Sequence, residues 1–185
     1  MRKTFYFKLA GLTDLRTHSA VLADPLNEFT RTIKPLAKKK NRTEQDEESL
    51  AQLETLGGMY LNADGAITFP GRNVKRAVAD YARIEKMGRT METGINILGD
   101  LEFTFSGPKD PQERAKNAKY RDRRIVSVNP RTGSKGIRTR PVFEDWSVSG
   151  LLVLDDAVVT PDVVARLLDA AGVAGLGEKH DGFGQ

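Results

Sequence analysis

Two glycine-containing motifs are the parts of this sequence best suited to hold an anionic chain. The first, Phe69-Pro70-Gly71-Arg72-Asn73, leads from a predicted strand into a predicted helix. The second spans residues 175–184, and its glycines are Gly175, Gly177, Gly182 and Gly184. Glycine allows positive φ angles and lets backbone N–H groups gather around an anion. Both motifs therefore predict contacts between backbone and phosphate.

The basic segment, residues 114–140, lies between these motifs. It contains ten Lys and Arg residues and a single acidic residue, Asp122, so its net charge is +9. The whole chain has a net charge of +4, which leaves −5 for the remaining residues. A concentrated positive segment on an otherwise acidic protein indicates a specific polyanionic partner. We expect single-stranded RNA or, as an alternative, DNA.

Composition narrows the class of protein. The 185 residues are enough for one domain with a sizeable core. The absence of cysteine excludes disulfides and thiolate metal sites, and no apolar run is long enough to cross a membrane. The first residues alternate in polarity, which is not typical of a signal peptide, and we expect a cytoplasmic protein. His18 and His180 are far apart without ligand spacing, so no metal or cofactor is predicted.

Periodicity and capping signals predict the elements that position the motifs. Residues 4–9 alternate as a strand does, and residues 95–105 and 148–154 are expected to be strands as well. Helices are expected from Thr43 to Gly57-Gly58, from residue 71 to about residue 86, and from Thr160-Pro161 to Gly172. Asp64-Gly65 predicts a hairpin turn. Residues 11–36 have no clear period and are left unassigned.

A second hairpin is expected inside the basic segment, where residues 125–128 and 136–137 frame a turn at residues 129–133. Together these elements predict an α+β fold. The exposed face of the first strand presents either Tyr6 or the pair Phe5 and Phe7, a choice that the sequence leaves open. Trp146, beside a predicted strand, is expected to be buried.

Both glycine-containing motifs resemble those of a known family. Residues 70–78, Pro70-Gly71-Arg72-Asn73-Val74-Lys75-Arg76-Ala77-Val78, are similar to a helix entry of the RAMP superfamily of CRISPR RNA-binding proteins. Residues 175–184 resemble the glycine-rich loop that follows the last helix in the backbone subunits of that family. Arg72-Asn73 replaces the paired serines of the family, and the sequence stops at Gln185, where the family has a final strand. These departures suit a solitary, phage-borne relative.

This resemblance implies a fold and a function. The fold is RRM-like or ferredoxin-like, an antiparallel sheet in the order β-α-β-β-α-β, within a single domain over residues 1–185. Residues 107–140 would be an insertion that forms a basic hairpin and holds guide RNA. The resemblance also implies assembly with copies of the chain or with other subunits of a ribonucleoprotein complex.

The expected nucleic-acid-binding residues combine the basic clusters with the two glycine-containing motifs. Tyr120 is included because an aromatic residue within a basic segment is suited to stack on a base. The set is Lys38, Lys39, Lys40, Arg72, Lys75, Arg76, Tyr120, Arg121, Arg123, Arg124, Arg131, Lys135, Arg138, Arg140, Gly175, Gly177, Lys179, His180, Gly182 and Gly184.

Two other functions remain open at the level of sequence, although the pattern favours a binding protein over an enzyme. The chain is either an interaction or inhibitor protein whose basic segment docks an acidic protein partner, or a metal-independent endoribonuclease. For the latter, His18 is the candidate catalytic residue, because some RAMP endoribonucleases have a histidine near the first helix.

Overall fold

A computed structural model describes residues 1–129 and 133–176. The described residues form six α-helices and eight strands arranged in antiparallel sheets, so the predicted α+β class is confirmed. The chain folds as two units. The first unit comprises Met1–Leu15, Leu61–Ser106 and Phe143–Gln185, and the second comprises Arg16–Tyr60 and Gly107–Val142. Residues 107–140, expected to be an insertion, fall in the second unit with residues 16–60.

The first unit is built on one antiparallel sheet. Its strands are β1 (Arg2–Ala10), β3 (Phe69–Pro70), β4 (Ile95–Ile97), β5 (Asp100–Thr104) and β8 (Ser147–Asp155). Their order is β1-β8-β5-β3, and β4 also pairs with β8. Strand β1 pairs along its whole length, from Arg2 opposite Asp155 to Ala10 opposite Ser147. The predicted strands at residues 4–9, 95–105 and 148–154 are therefore confirmed, the middle one as two strands.

The choice between the two faces of β1 is made by its pairing. Phe5 lies opposite Leu152, which is buried, whereas Tyr6 lies opposite Leu151, which is exposed. Residues directly opposite in antiparallel strands point to the same side of the sheet. Phe5, 38% exposed, and Phe7, half-buried, therefore lie on the side of the sheet that carries Leu152. Tyr6, 65% exposed, lies on the opposite, open face.

Three helices complete the first unit: α3 (Gly71–Ala82), α4 (Gly88–Gly94) and α6 (Pro161–Ala174). A Cβ atom on Gly71 would lie only 2.6 Å from the Cγ2 atom of Ile97, so a larger residue there would force this helix start away from the strand. Helix α3 ends before the predicted residue 86. Helix α6 continues past Gly172, and the predicted stop there is wrong, because Gly175, with φ of 102°, ends the helix instead.

The core of the first unit contains aromatic side chains, as the sequence predicted for Trp146. That indole is 2% exposed, and its Nε1–H donates to the carbonyl of Thr13 at 2.8 Å. The ring of Phe143 packs against Phe103 and Phe105 at centroid distances of 4.9 and 5.0 Å. The predicted turn at Asp64-Gly65 is also present, since Gly65 has φ of 77° and a β-bridge joins Leu61 to Ile67.

The second unit combines helices α1 (Glu28–Lys38), α2 (Glu44–Gly58) and α5 (Pro111–Lys116) with a three-stranded sheet. The sheet order is β2-β7-β6, and its strands are β2 (Leu15–Arg16), β6 (Arg121–Asn129) and β7 (Ser134–Phe143). The basic hairpin, β6 with β7, confirms the predicted hairpin and is longer than the sequence indicated. Helix α1 was not predicted, because Pro35 lies inside it and proline removes a helical N–H.

Helix α2 begins as its sequence predicts. The Thr43 side chain accepts a hydrogen bond from the Asp46 N–H, and the Asp46 carboxylate accepts one from the Thr43 N–H, which completes a capping box. The Lys39 ammonium lies 2.5 Å from the Asp46 carboxylate. This contact, together with the Thr43 N–H, lowers the pKa of Asp46 to about 2. Within the described residues, no helix is long and apolar enough to cross a membrane.

Candidate nucleic-acid interface

The two units differ in charge. The second unit contains eighteen Lys and Arg residues against ten Asp and Glu, a net charge of +8, so −4 remains for the first unit. The division is slightly weaker than the +9 and −5 of the sequence, because the second unit also contains acidic residues, which offset the cations of residues 31–42. The second unit is therefore the part of the chain that can attract a polyanion.

A groove of about 540 Å³ runs between helix α1 and the basic hairpin. Helix α1 contributes Lys34 and Lys38 to its lining, strand β7 contributes Arg138 and Arg140, and His18 also lines it. Lys34 and Lys38 are four residues apart and therefore lie on one face of the helix. The groove thus collects cations from segments that are about a hundred residues apart in the sequence.

Several lysines of this unit are available to a ligand. Lys34, Lys38, Lys40 and Lys135 are exposed, and within residues 1–129 and 133–176 none of them has an ion pair. Lys39 differs, because it holds Asp46 at the start of α2. Lys34 was missed by sequence reasoning. Its spacing of four residues from Lys38 would have placed both lysines on one helix face, but helix α1 was not predicted from the sequence.

The arginines of the basic hairpin are largely held by carboxylates. Three of them form ion pairs with glutamates of α2. A fourth, Arg124, lies 2.7 Å from the carboxylate of Asp122, and the same carboxylate lies 2.9 Å from Arg16. The three pairs with α2 are Arg121 with Glu48 at 2.9 Å, Arg123 with Glu47, and Arg138 with Glu54 at 3.2 Å. The hydrogen bond from Arg121, followed by that from Gln52, holds the pKa of Glu48 below its usual value. The structure therefore brings the predicted arginines together but balances their charge.

Tyr120 does not occupy the place expected of a stacking residue. It is only 8% exposed, and the guanidinium of Arg114 lies over its ring at 4.3 Å from the centroid. Its other contacts include Gly107, where a Cβ atom would come within 2.4 Å of the ring. Both the ring and the arginine beside it are buried, so Tyr120 presents little surface on which a base could stack.

The predicted residues around the first glycine-containing motif lie in the first unit. Helix α3 begins after Pro70 without a side-chain cap, and Arg72 on its first turn is exposed. Lys75 is half-buried, and Arg76 lies 3.6 Å from the Asp80 carboxylate one turn further along the helix. Gly175, also in this unit, ends α6, and its N–H donates to the carbonyl of Ala171 at 2.9 Å.

The remaining predicted residues lie outside the described part of the chain. They are Arg131, which the sequence places between β6 and β7, and Gly177, Lys179, His180, Gly182 and Gly184 of the second glycine-containing motif.

His18, the candidate catalytic residue, lines the groove beside the cations described above. Its backbone carbonyl accepts a weak hydrogen bond, 3.4 Å long, from the Tyr60 hydroxyl. The carboxylate that also lines the groove, Glu54, already accepts bonds from Arg138 and from the Thr139 N–H. Among the described residues, no group of three or more histidines and carboxylates is placed to hold a metal ion.

No protein-family model matches the sequence, and no curated protein matches it. The assignment of function therefore depends on the side chains and geometry of the second unit.

Proposed function

We propose that this protein binds single-stranded nucleic acid, RNA above all, through the second unit. The observation that carries the proposal is the groove between α1 and the basic hairpin, where Lys34, Lys38, Arg138 and Arg140 converge. A positively charged groove that follows a phosphate backbone is typical of proteins that bind single strands without strong sequence preference.

The first unit supports the finer fold hypothesis. Its chain order β1, α3, β5, β8 and α6, with β8 between β1 and β5, is the order of the first five elements of a β-α-β-β-α-β fold. Tyr6 on the open face of β1 is then an exposed aromatic residue suited to stack on a base. Membership of the RAMP superfamily, assembly with copies of the chain and a cytoplasmic role are parts of this proposal.

The experiment that tests the proposal is fluorescence anisotropy with labelled single-stranded RNA and DNA over a range of salt concentrations. The variant Lys34→Ala with Lys38→Ala removes two groove cations. Its control, Arg2→Ala with Arg89→Ala, removes two exposed cations of the first unit. For single strands, each phosphate contact contributes about −0.7 to the slope of log affinity against log salt concentration. For the groove variant we expect a slope that is shallower by about 1.4 and, at 0.1 M salt, an affinity that is about 25-fold weaker. We expect neither change in the control.

Equal effects of the two double variants would contradict the groove as the binding site. No binding by the unmodified protein at low salt would overturn the proposal itself. The same samples test the endoribonuclease hypothesis: RNA that is cleaved equally by the protein and by its His18→Ala variant would exclude His18 as the catalytic residue.

A second candidate function is binding to an acidic protein partner. Ile125 and Ile137 lie directly opposite each other on the basic hairpin and are 72% and 43% exposed. Exposed apolar residues among cations favour a protein interface, where apolar contact adds to charge attraction. Binding to a polyglutamate peptide that is lost in the variant Ile125→Ser with Ile137→Ser, with RNA binding absent, would favour this candidate.

A further inference from the structure

The carboxylates of helix α2 occupy the arginines that the basic hairpin would offer to a phosphate chain. Glu47 contacts Arg123, and Glu48 contacts Arg121 at 2.9 Å. Arginine binds carboxylate and phosphate with the same planar pair of N–H donors. A phosphate that approaches either arginine must therefore compete with a carboxylate that is already bound there.

Glu54 differs from these two glutamates, because it is buried and stabilises the fold of the second unit. It is 5% exposed, and its carboxylate accepts the buried Thr139 N–H at 2.7 Å as well as the Arg138 guanidinium. Glu47 and Glu48 instead line a wide, open cavity of about 940 Å³ beside the hairpin, and the Glu48 side chain is half-exposed. Glu47 can separate from Arg123 without leaving a buried group, because the Arg123 side chain is 47% exposed. The Arg121 side chain is only 8% exposed, but its Nη2–H also donates to the carbonyl of Lys116 at 3.1 Å and keeps this partner when Glu48 separates.

We infer that Glu47 and Glu48 are an internal competitor for the phosphates of the nucleic acid. This inference rests on the proposed function. Arg121 and Arg123 are two positions apart on β6, so they point to the same side of the sheet about 6.6 Å apart along the strand. A strand with successive phosphates replaces both carboxylates in one binding event, whereas a mononucleotide replaces only one. The competitor therefore lowers the affinity for a strand, which displaces two carboxylates, more than the affinity for a mononucleotide, which displaces one.

The decisive variant is Glu47→Gln with Glu48→Gln, which keeps the side-chain shape and removes the two competing charges. Its control, Glu28→Gln with Glu113→Gln, removes two acidic charges of the same unit; neither residue has an ion pair with the basic hairpin in the described part of the chain. The assay is the salt dependence of affinity for a labelled single-stranded RNA and for labelled ADP. Circular dichroism verifies that each variant is folded.

We expect the slope for RNA to become steeper by about 1.4 in the decisive variant. In the unmodified protein the two displaced carboxylates take up cations again and offset the release of about 0.7 at each phosphate contact, and the variant lacks this offset. The control variant leaves the slope unchanged. The preference for RNA over ADP rises in the decisive variant, because loss of both carboxylates favours the ligand that displaces two of them over the ligand that displaces one. When Arg121 and Arg123 are both replaced by methionine, the two glutamine substitutions no longer change the slope, since the competing pairs are gone.

Glu47 also contacts Arg42, so Glu48→Gln alone is a second variant that leaves this contact in place, and it should steepen the slope by about half as much. A folded decisive variant that binds RNA with the same slope as the control, or more weakly, would overturn the inference, since the glutamates would then position the arginines for binding. Equal slopes with binding intact would leave the proposed function standing. Absence of RNA binding by the unmodified protein and by the variant would overturn both.

Discussion

Replacing Arg114 with methionine tests whether the start of the basic segment binds ligand or holds the second unit together. Arg114 is fully buried in α5. Its Nη1–H donates to the carbonyl of Pro108 at 3.2 Å and its Nη2–H to that of Val142 at 2.5 Å, while its guanidinium covers the Tyr120 ring. The side chain therefore joins three separate segments of the unit.

The expected loss follows from these contacts. The buried carbonyl of Val142 and the partly buried carbonyl of Pro108 lose their donor, at about 1–3 kcal/mol each, and loss of a desolvated cation–π contact costs about 2 kcal/mol. Methionine offsets part of this loss of stability, because burial of an apolar side chain requires no desolvation of a charge. We expect Arg114→Met to lower the free energy of unfolding by about 2–4 kcal/mol.

The assay is urea-induced unfolding followed by circular dichroism, with Lys116→Met as the control. Lys116 is an exposed residue of the same helix, so its substitution removes the same charge without a buried contact. The free energy of unfolding of the control should differ from that of the unmodified protein by less than about 0.5 kcal/mol. If Arg114→Met is as stable as the unmodified protein, the cost of burying the guanidinium cancels its contacts, and the structural role argued for Arg114 is refuted. Under folded conditions, Arg114→Met should leave the salt dependence of RNA binding unchanged.

Three further outcomes are expected. The pKa of Asp46 lies at about 2 instead of 3.8, so its carboxylate stabilises the folded state above about pH 4, and this stabilisation is lost as the pH falls towards 2. The stability difference between the unmodified protein and Asp46→Asn should therefore shrink between pH 5 and pH 2.5 in urea titrations. Gly107→Ala should lower the free energy of unfolding by about 2–4 kcal/mol, because Gly107 has φ of 87° and an added Cβ atom would lie 2.4 Å from the Tyr120 ring. Gly133→Ala should lower it by about 1 kcal/mol, because Gly133 has φ of 66° but open space around it. Equal unfolding midpoints of the two variants would contradict the clash. Tyr6→Ala should weaken RNA binding by about 1–3 kcal/mol without changing its salt slope, and an unchanged affinity would remove Tyr6 as a stacking residue.

Local signals in the sequence were sufficient for most elements. The alternation of β1, the capping box at Thr43 and the turn at Asp64-Gly65 depend on neighbouring residues, and all three are present in the structure. Helix α1 was missed because Pro35 is a local signal against a helix that packing against α2 overrides. The end of α6 was placed too early for a related reason, since Gly172 is tolerated within a helix.

The sequence by itself determined that the positive charge is concentrated and that a hairpin presents it. Only the tertiary structure decided which of those charges a ligand can reach. Arg123 meets Glu47, 76 residues away, and Arg138 meets Glu54, 84 residues away. The number of cations in a segment follows from composition, but their availability depends on which carboxylates the fold places beside them. Distances of a few ångströms between residues so far apart in the chain arise from packing, which no local pattern records.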